Sequence, residues 1–299
     1  MGAKYKLTIT VLTMNRAEQL KNAVDSCLKS DLPRETQFVI VDNASTDETE
    51  LVVNAIKKDF PYDLVYKREE INRGVGGGRN VCFDLAEGEY VYFLDDDAEI
   101  SEECYKTFFM STIEYLDRNP SVATLTTHIH DAVFGERVVA TSTTLAVNGL
   151  KCVYTFQGGT VFVRKSCFKS PLFMNIMYGN EEIPISMDAL NRGFYNVYNP
   201  DIWINHYPKV NKWITDKDRI NVQGASNIYM FKKMQYPIIC KPVLYAVYLL
   251  RLLRYRLQDK TIIKEFRKIR KDFCKENKIS KIKIKTIIKS FKNFGMTTF

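Results

Sequence analysis

Three apolar runs in the first hundred residues each stop at a polar cluster, and this repetition narrows the folds open to the chain. Lys6–Thr13 (KLTITVLT) runs into Asn15 and Arg16, Gln37–Val41 (QFVIV) into the segment from Asp42 to Asp47, and Tyr90–Leu94 (YVYFL) into Asp95, Asp96 and Asp97. Their density of β-branched and aromatic residues reads as buried strand. Helical patterns lie between them: Leu20, Val24, Cys27 and Leu28 share one face, and Val52, Val53, Ile56 and Phe60 another. Ser45 followed by Glu48 has capping-box spacing for the second of these helices. Asp63–Tyr66 reads as a short third strand, Gly74–Gly78 as a glycine loop leading into a helix through Asn80–Ala86, and Ser101 as the cap of a further helix. Alternation of this kind predicts an α/β layer on a mainly parallel sheet. Ligands of such sheets bind beyond the carboxyl ends of the strands, which is where all three polar clusters fall.

The pattern changes after Pro120. Ala123–Ile129, Arg137–Ala146 and Val153–Val163 read as strands without long helices between them, the last interrupted by Gly158 and Gly159, which suggests a bulge or a close approach to a ligand. A helix is expected over Ile183–Asn191, then strands at Tyr195–Tyr198 and Ile202–His206. At 299 residues the chain has room for one large domain with an appendage. We place the domain at 1–235, with halves of about 1–120 and 121–235, and a basic, amphipathic helical region at 236–299. The net charge of +8 hides an asymmetry: residues 241–299 carry 17 Lys/Arg against 4 Asp/Glu, and residues 1–240 carry 26 against 31. Seven scattered cysteines with no C-x-x-C pair point to reduced thiols and a cytoplasmic setting, and no signal-peptide pattern opens the chain.

Three adjacent carboxylates at a strand end repel one another unless a cation or a solvated turn relieves them. A hard divalent ion suits such oxygens and bridges readily to phosphates. Four motifs in order, Thr13-x-Asn15-Arg16, Val41-Asp42-Asn43-x-Ser45-x-Asp47, Asn72-x-Gly74-x-Gly76-Gly77-Gly78-Arg79-Asn80 and Leu94-Asp95-Asp96-Asp97, resemble those of the family 2 glycosyltransferases, over about residues 5–207. The resemblance implies the GT-A fold, a single mixed, mainly parallel sheet flanked by helices, here with a C-terminal helical basic appendage.

The resemblance also implies roles. Thr13, Asn15, Arg16, Asp42, Asn43, Asn72, Gly74, Gly78, Arg79, Asp95 and Asp96 would line the donor nucleotide, Asp42 at the base and Asp95 at the ribose. Asp42 and its neighbours serve equally well as a helix-entry turn. The glycine run lets a backbone approach a nucleotide but is neither a P-loop nor a clean dinucleotide fingerprint. Arg79 faces phosphate or pairs with an acid. Asp97 would bind Mn²⁺ or Mg²⁺, with His206 completing the metal shell or serving as a hydrogen-bonded structural histidine. Gly158 and Gly159 would lie near the donor sugar. On the acceptor side, in Tyr178-Gly179-Asn180-Glu181-Glu182, Glu182 occupies the position of the family's general base, with Glu181 as the other candidate. The pair also reads as acids at a helix N-terminus. Pro184 and Asp188 depart from the family pattern and bear on acceptor identity. A Gln-x-x-Arg-Trp motif of processive synthases is absent.

These residues lead to an expected inverting, metal-dependent transfer of one sugar from a nucleoside diphosphate sugar, UDP by family frequency, to a hydroxyl of a lipid-linked or polysaccharide acceptor in cell-surface glycan synthesis. The competing readings are a non-catalytic nucleotide-sugar binding protein and a metal-dependent nucleotidyltransferase. In the tail, Pro242–Leu257 is shorter than the ~20 residues of a spanning helix. With Tyr245, Tyr248, Tyr255, Arg251, Arg254 and Arg256, and the lysines of 260–292, it fits a peripheral contact with the anionic inner face of the cell membrane. A helix packed on the body and a solvated lysine face are the other readings. No nucleic-acid module accompanies the charge, so nucleic acid is not an expected partner.

Overall fold

The computed structural model describes residues 3–137, 139–176, 179–209, 217–254 and 280–299, together with Lys264 and Lys268. Strands β1 (Tyr5–Thr13), β2 (Thr36–Asp42), β3 (Asp63–Arg68) and β4 (Gly88–Asp95) pair in parallel in the order β3-β2-β1-β4. Helices α1 (Ala17–Leu28), α2 (Thr49–Lys57) and α3 (Gly74–Leu85) make the crossovers. The register sets Thr13 beside Asp42 and Leu12 beside Asp95, so the three polar clusters come out along one edge. These strands read as unbroken apolar runs because both faces are covered. Ile9, Phe38, Ile40, Tyr90 and Tyr92 pack on the α1 side, while Val39, Val41, Val91 and Phe93 pack with Cys82 and Phe83 of α3 on the other.

The second half adds β5 (Ala98–Ile100), α4 (Met110–Arg118), β6 (Val122–Asp131), β7 (Gly135–Glu136), β8 (Thr141–Val147), β9 (Leu150–Val153), β10 (Thr160–Arg164), α5 (Ile183–Asn191) and β11 (Tyr195–His206). The sheet continues β4-β10-β6-β11-β9-β8, with β5 on β11 and β7 on β6. β10 is antiparallel to both β4 and β6, and β11 is parallel to β6. The sheet is therefore mixed, and its parallel block is the half that carries the acidic triplet. Buried Arg164 ties α4 to β10 by donating to the carbonyls of Leu116, Asn119 and Val122, which meets carbonyls that the end of a helix leaves open.

The described C-terminal residues include helices α6 (Lys217–Gln235), α7 (Lys241–Arg254) and α8 (Ile284–Phe294). Tyr154, Ile183, Met187, Met230, Phe231, Tyr236, Cys240, Leu244, Ile282 and Ile287 form one buried cluster, so the described part of the tail shares a core with α5. The six cysteines among the described residues are buried and free. Tyr178, Tyr255, Arg256, Cys274 and four of the lysine series, Lys260, Lys271, Lys275 and Lys278, lie outside the described residues.

Several local expectations are corrected. Ser45 does not cap α2: its Oγ accepts from the Asn15 N–H at 2.9 Å, and Asp47 Oδ1 accepts from the Thr49 N–H at 3.1 Å instead. Ser101 precedes only a short 3-10 turn, Glu102–Cys104, and the cap of α4 is Asp31, which accepts from the N–H groups of Phe109 and Met110 at 2.9 and 3.0 Å. The glycines from Gly74 to Gly78 are the first turns of α3 and not a loop. Within Arg137–Ala146 the described strand begins at Thr141, and Arg137 turns its side chain back to Asp131. Val153–Val163 divides into β9 and β10 around the glycine pair. Tyr195–Tyr198 and Ile202–His206 are one strand with a register shift between Asn199 and Trp203, where Pro200 has no N–H to donate.

A Cβ at Gly76 would run into the backbone carbonyl of Met174. Alanine is favoured over glycine inside a helix by about 1 kcal/mol, but a clash with backbone costs about 1–3 kcal/mol. Gly76→Ala is therefore expected to lower the urea midpoint, against the helix-propensity trend. A raised midpoint would show that the Met174 segment does not press on α3.

Candidate active site

The three carboxylates that leave β4 find different partners. Asp95 Oδ1 accepts from Arg79 Nη2 at 2.6 Å, and Asp96 Oδ1 accepts from Arg16 Nη1 at 2.7 Å. Asp97 Oδ2 lies 2.7 Å from the same Arg16 nitrogen, and its Oδ1 lies 3.2 Å from His206 Nε2. Asp96 and Asp97 are each 5% exposed, whereas the Asp95 side chain keeps about a third of its surface. Burial, with the neighbouring Asp97, pushes the Asp96 carboxyl up to about 6 against the pull of Arg16. Burial also opposes charge on Asp95, but Arg79 and His206 outweigh it and hold that carboxyl below its ordinary range.

His206 stands at the end of β11, where Tyr207 N–H donates to the Asp97 carbonyl at 2.7 Å. Its Nδ1 lies 2.8 Å from Asp131 Oδ2, which accepts from Arg137 Nη2 at 2.7 Å. Burial opposes a proton on this imidazole, but Asp97, Asp95 and Asp131 together raise its pKa above the usual value. Asp95, Asp97 and His206 each offer a ligand atom, all within 4.8 Å of one another. Two carboxylates and an imidazole oriented by a further carboxylate fit a divalent ion of the Mg²⁺ or Mn²⁺ kind.

The residues expected to face a nucleotide are brought together as a shelf above β1 and β2. Asp42 is fully buried; its Oδ1 accepts from the Ser45 N–H at 2.7 Å and its Oδ2 from the Tyr66 hydroxyl at 3.0 Å. Its carboxylate thus holds the turn in any reading. Asn15 takes a positive φ of 56° and accepts from the Thr46 N–H at 2.7 Å. Asn43 accepts from the Arg73 N–H and donates to Asn72 Oδ1, both at 2.9 Å, and Asn72 Oδ1 also accepts from the Gly74 N–H at 2.7 Å. Thr13 is buried beneath them, and Gly78 meets Leu12 with no space for a side chain.

The Glu181–Glu182 segment, the expected acceptor side, is joined to this shelf by Arg79. Its guanidinium is buried and donates to Asp95 and to Glu181. A Cβ at Gly158 would stand 2.5 Å from Arg79 Nη1, and one at Gly159 would strike the Asp95 carboxylate. Glu181 Oε2 is buried and has no partner among the described residues. Glu182 sits at the N-cap of α5, with Pro184 in the first turn. It keeps some solvent contact, but burial and the adjacent Glu181 push its carboxyl up to about 8. Asp188 pairs with Arg192 one turn along α5 at 2.9 Å, away from Glu182. Sequence reasoning missed Asp131 and Arg137. The available signal was an aspartate at the tip of a β-rich run, the same arrangement that singled out Asp42 and Asp95.

The sequence profile of glycosyl transferase family 2 matches residues 8–168. A β-1,3-glucosyltransferase of Campylobacter jejuni acting on GalNAc(5)-diNAcBac-PP-undecaprenol is 31% identical over 109 residues, covering 36% of this chain and 35% of that protein. The poly(ribitol-phosphate) β-N-acetylglucosaminyltransferase TarS of Staphylococcus aureus is 35% identical over 103 residues, covering 34% of this chain and 18% of its own length. The matches therefore span about a third or less of these relatives. Among solved structures, S. aureus TarS 1–349 with UDP-GlcNAc superposes with a TM-score of 0.62 at 19% identity, over 82% of this chain and 72% of that one. The mannosyltransferase PcManGT of Pyrobaculum calidifontis, with GDP-Man and Mn²⁺, gives 0.60 at 16% identity over 98% and 77%. These structures share the GT-A fold, and with the profile covering more than half of its length the chain belongs to glycosyl transferase family 2.

Proposed function

We propose that the chain is an inverting glycosyltransferase that moves one sugar from a nucleoside diphosphate sugar, preferably a UDP-sugar, to a hydroxyl of a lipid-linked or polysaccharide acceptor in cell-surface glycan assembly. The observation that carries this reading is the reach of one guanidinium. Arg79 touches Asp95 on the donor side and Glu181 on the acceptor side, so both halves of a transfer reaction meet within one side chain's span. The named activities of the relatives and the UDP-GlcNAc complex support the choice of donor and acceptor class.

In this reading Thr13, Asn15, Arg16, Asp42, Asn43, Asn72, Gly74 and Gly78 shape the nucleotide shelf, Asp96 anchors Arg16 beside it, and Gly158 and Gly159 leave space for the donor sugar. Asp95, Asp97 and His206 hold a divalent metal, with Mn²⁺ supported by the PcManGT complex. When bound, such an ion neutralises charge on the departing diphosphate. Arg79 engages Glu181, which leaves Glu182 as the base. Glu182 takes the proton of the acceptor hydroxyl as its oxygen bonds to the anomeric carbon and the bond from that carbon to the diphosphate oxygen breaks on the opposite side. The unpartnered Oε2 of Glu181 is placed to accept from a sugar hydroxyl.

Glu182→Gln is expected to cut turnover by roughly 10²–10⁴-fold, the usual share of a general base, while the thermal shift caused by donor and Mn²⁺ persists. Unchanged release of nucleoside diphosphate from that variant would remove Glu182 from the mechanism. The ionised base is the active form and its pKa is raised. The parent's kcat/KM is therefore expected to climb with pH and level off above about 8. A plateau already reached near pH 5, where an ordinary glutamate is ionised, would contradict the assignment.

Residues 1–235 carry the transfer in this scheme, and 236–299 a peripheral contact with anionic membrane. No described helix is long and apolar enough to cross a bilayer. α7 buries Leu244, Tyr248 and Leu252 on one side and exposes Val243, Tyr245, Leu249, Leu250 and Leu253 on the other, beside Ile238 and Ile239, which are 77% and 74% exposed. An apolar surface flanked by lysine and arginine suits the interface of an acidic leaflet. Because the tail shares its core with α5, substitution is a cleaner test than truncation. Leu250→Asp with Leu253→Asp is expected to abolish sedimentation with phosphatidylglycerol vesicles at moderate salt while leaving donor binding intact. Equal sedimentation of parent and variant would refute the contact.

A further inference from the structure

The chain has three histidines, and the donor-side metal set uses only His206. The other two, His128 and His130, alternate on β6 and so point to one face of the sheet. Ile129 and Asp131, on the same strand, point to the other, where Ile129 enters the core and Asp131 meets His206. The antiparallel register of β7 sets Glu136 opposite His130. One oxygen of Glu136 lies 2.5 Å from His130 Nδ1, and the other bonds His128 Nε2. One ligand atom from each of the three side chains lies within 4.8 Å of the other two.

We propose that His128, His130 and Glu136 form a second metal site that takes Zn²⁺, separate from the set formed by Asp95, Asp97 and His206. Two imidazoles and one carboxylate make a three-ligand zinc set that leaves a fourth position for water. They are softer than the carboxylate-rich donor set and favour a borderline ion over Mg²⁺. His128 shows the preparation expected of a zinc ligand. Its far nitrogen, Nδ1, lies 2.7 Å from the Tyr198 hydroxyl, which fixes the ring and turns Nε2 toward Glu136. The His130 ring is seated edge-on against Trp203, with centroids 5.5 Å apart. The site is reachable, since the Glu136 and His130 side chains are 59% and 42% exposed and that of His128 is 18% exposed.

The position gives the site a role. Glu136 precedes Arg137, which bonds Asp131, which in turn holds His206 Nδ1. Zinc would staple the β7 turn to β6 and thereby steady the carboxylate behind the donor-side histidine. It acts as a positioning device and takes no part in the transfer.

The test uses the full chain carrying Asp97→Asn, which weakens the donor-side set, and does not depend on sugar transfer. Zinc is titrated in competition with a chromogenic chelator, and Co²⁺ is titrated separately for its visible spectrum. One equivalent of zinc is expected to bind, Co²⁺ is expected to show the intense bands of a four-coordinate ion, and zinc is expected to raise the melting temperature by mass action. Adding Glu136→Gln and His128→Asn is expected to abolish all three. Tyr198→Phe alone is expected to weaken zinc by roughly 10-fold, as loss of an outer partner does. In the parent, stoichiometry is expected to fall from two to one when only Glu136→Gln and His128→Asn are introduced, a second readout should the triple variant not fold. Equal zinc binding with and without Glu136 and His128, or no equivalent bound by the Asp97→Asn chain, would overturn the proposal. Either result would leave the transferase reading standing.

Discussion

A buried guanidinium between two carboxylates is the constraint on which the rest of the site depends. Arg79 comes from the second turn of α3, Asp95 from the end of β4, and Glu181 from the segment before α5. Burying such a charge is costly unless its partners are in place, and removing one partner of a buried pair is strongly destabilising. The arrangement therefore fixes the distance between the end of β4 and the carboxylates before α5. It also accounts for two of the glycines that open α3: Gly76 lies against the Met174 carbonyl and Gly78 against Leu12, where a side chain would push away the helix that delivers Arg79 to both acids.

The same economy of charge recurs along the sheet edge. Arg16 serves Asp96 and Asp97, Arg79 serves Asp95 and Glu181, and Arg137 serves Asp131, itself the partner of His206. Arg16 and Arg79 each sit between acids that would otherwise repel, so the acidic edge persists in a folded chain. Glu182 is the acid left outside this scheme, and its raised pKa follows from burial beside Glu181.

The parallel half of the fold was legible because its strands are covered on both faces and so appear as unbroken apolar runs. Each run ends where the sheet meets the ligand side, which is why Asp42 and Asp95 could be recognised from position. The insertion of β10 between β4 and β6 was not legible, since it pairs residues dozens of positions apart. Ser45 met the spacing rule for a capping box and Ser101 was the expected cap of the next helix, but the Asn15 N–H claimed the Ser45 hydroxyl, and Asp31 reached α4 from another part of the chain. The Arg137–Asp131–His206 chain stayed hidden because His206 and Asp131 come from separate strands. The choice between Glu181 and Glu182 rests on Arg79, whose partner no local pattern reveals.

Gly158 and Gly159 have a consequence for how such an enzyme can diversify. Arg79 and Asp95 fill the volume that any side chain there would need, so change at either glycine is tied to displacement of the guanidinium or of its carboxylate partner.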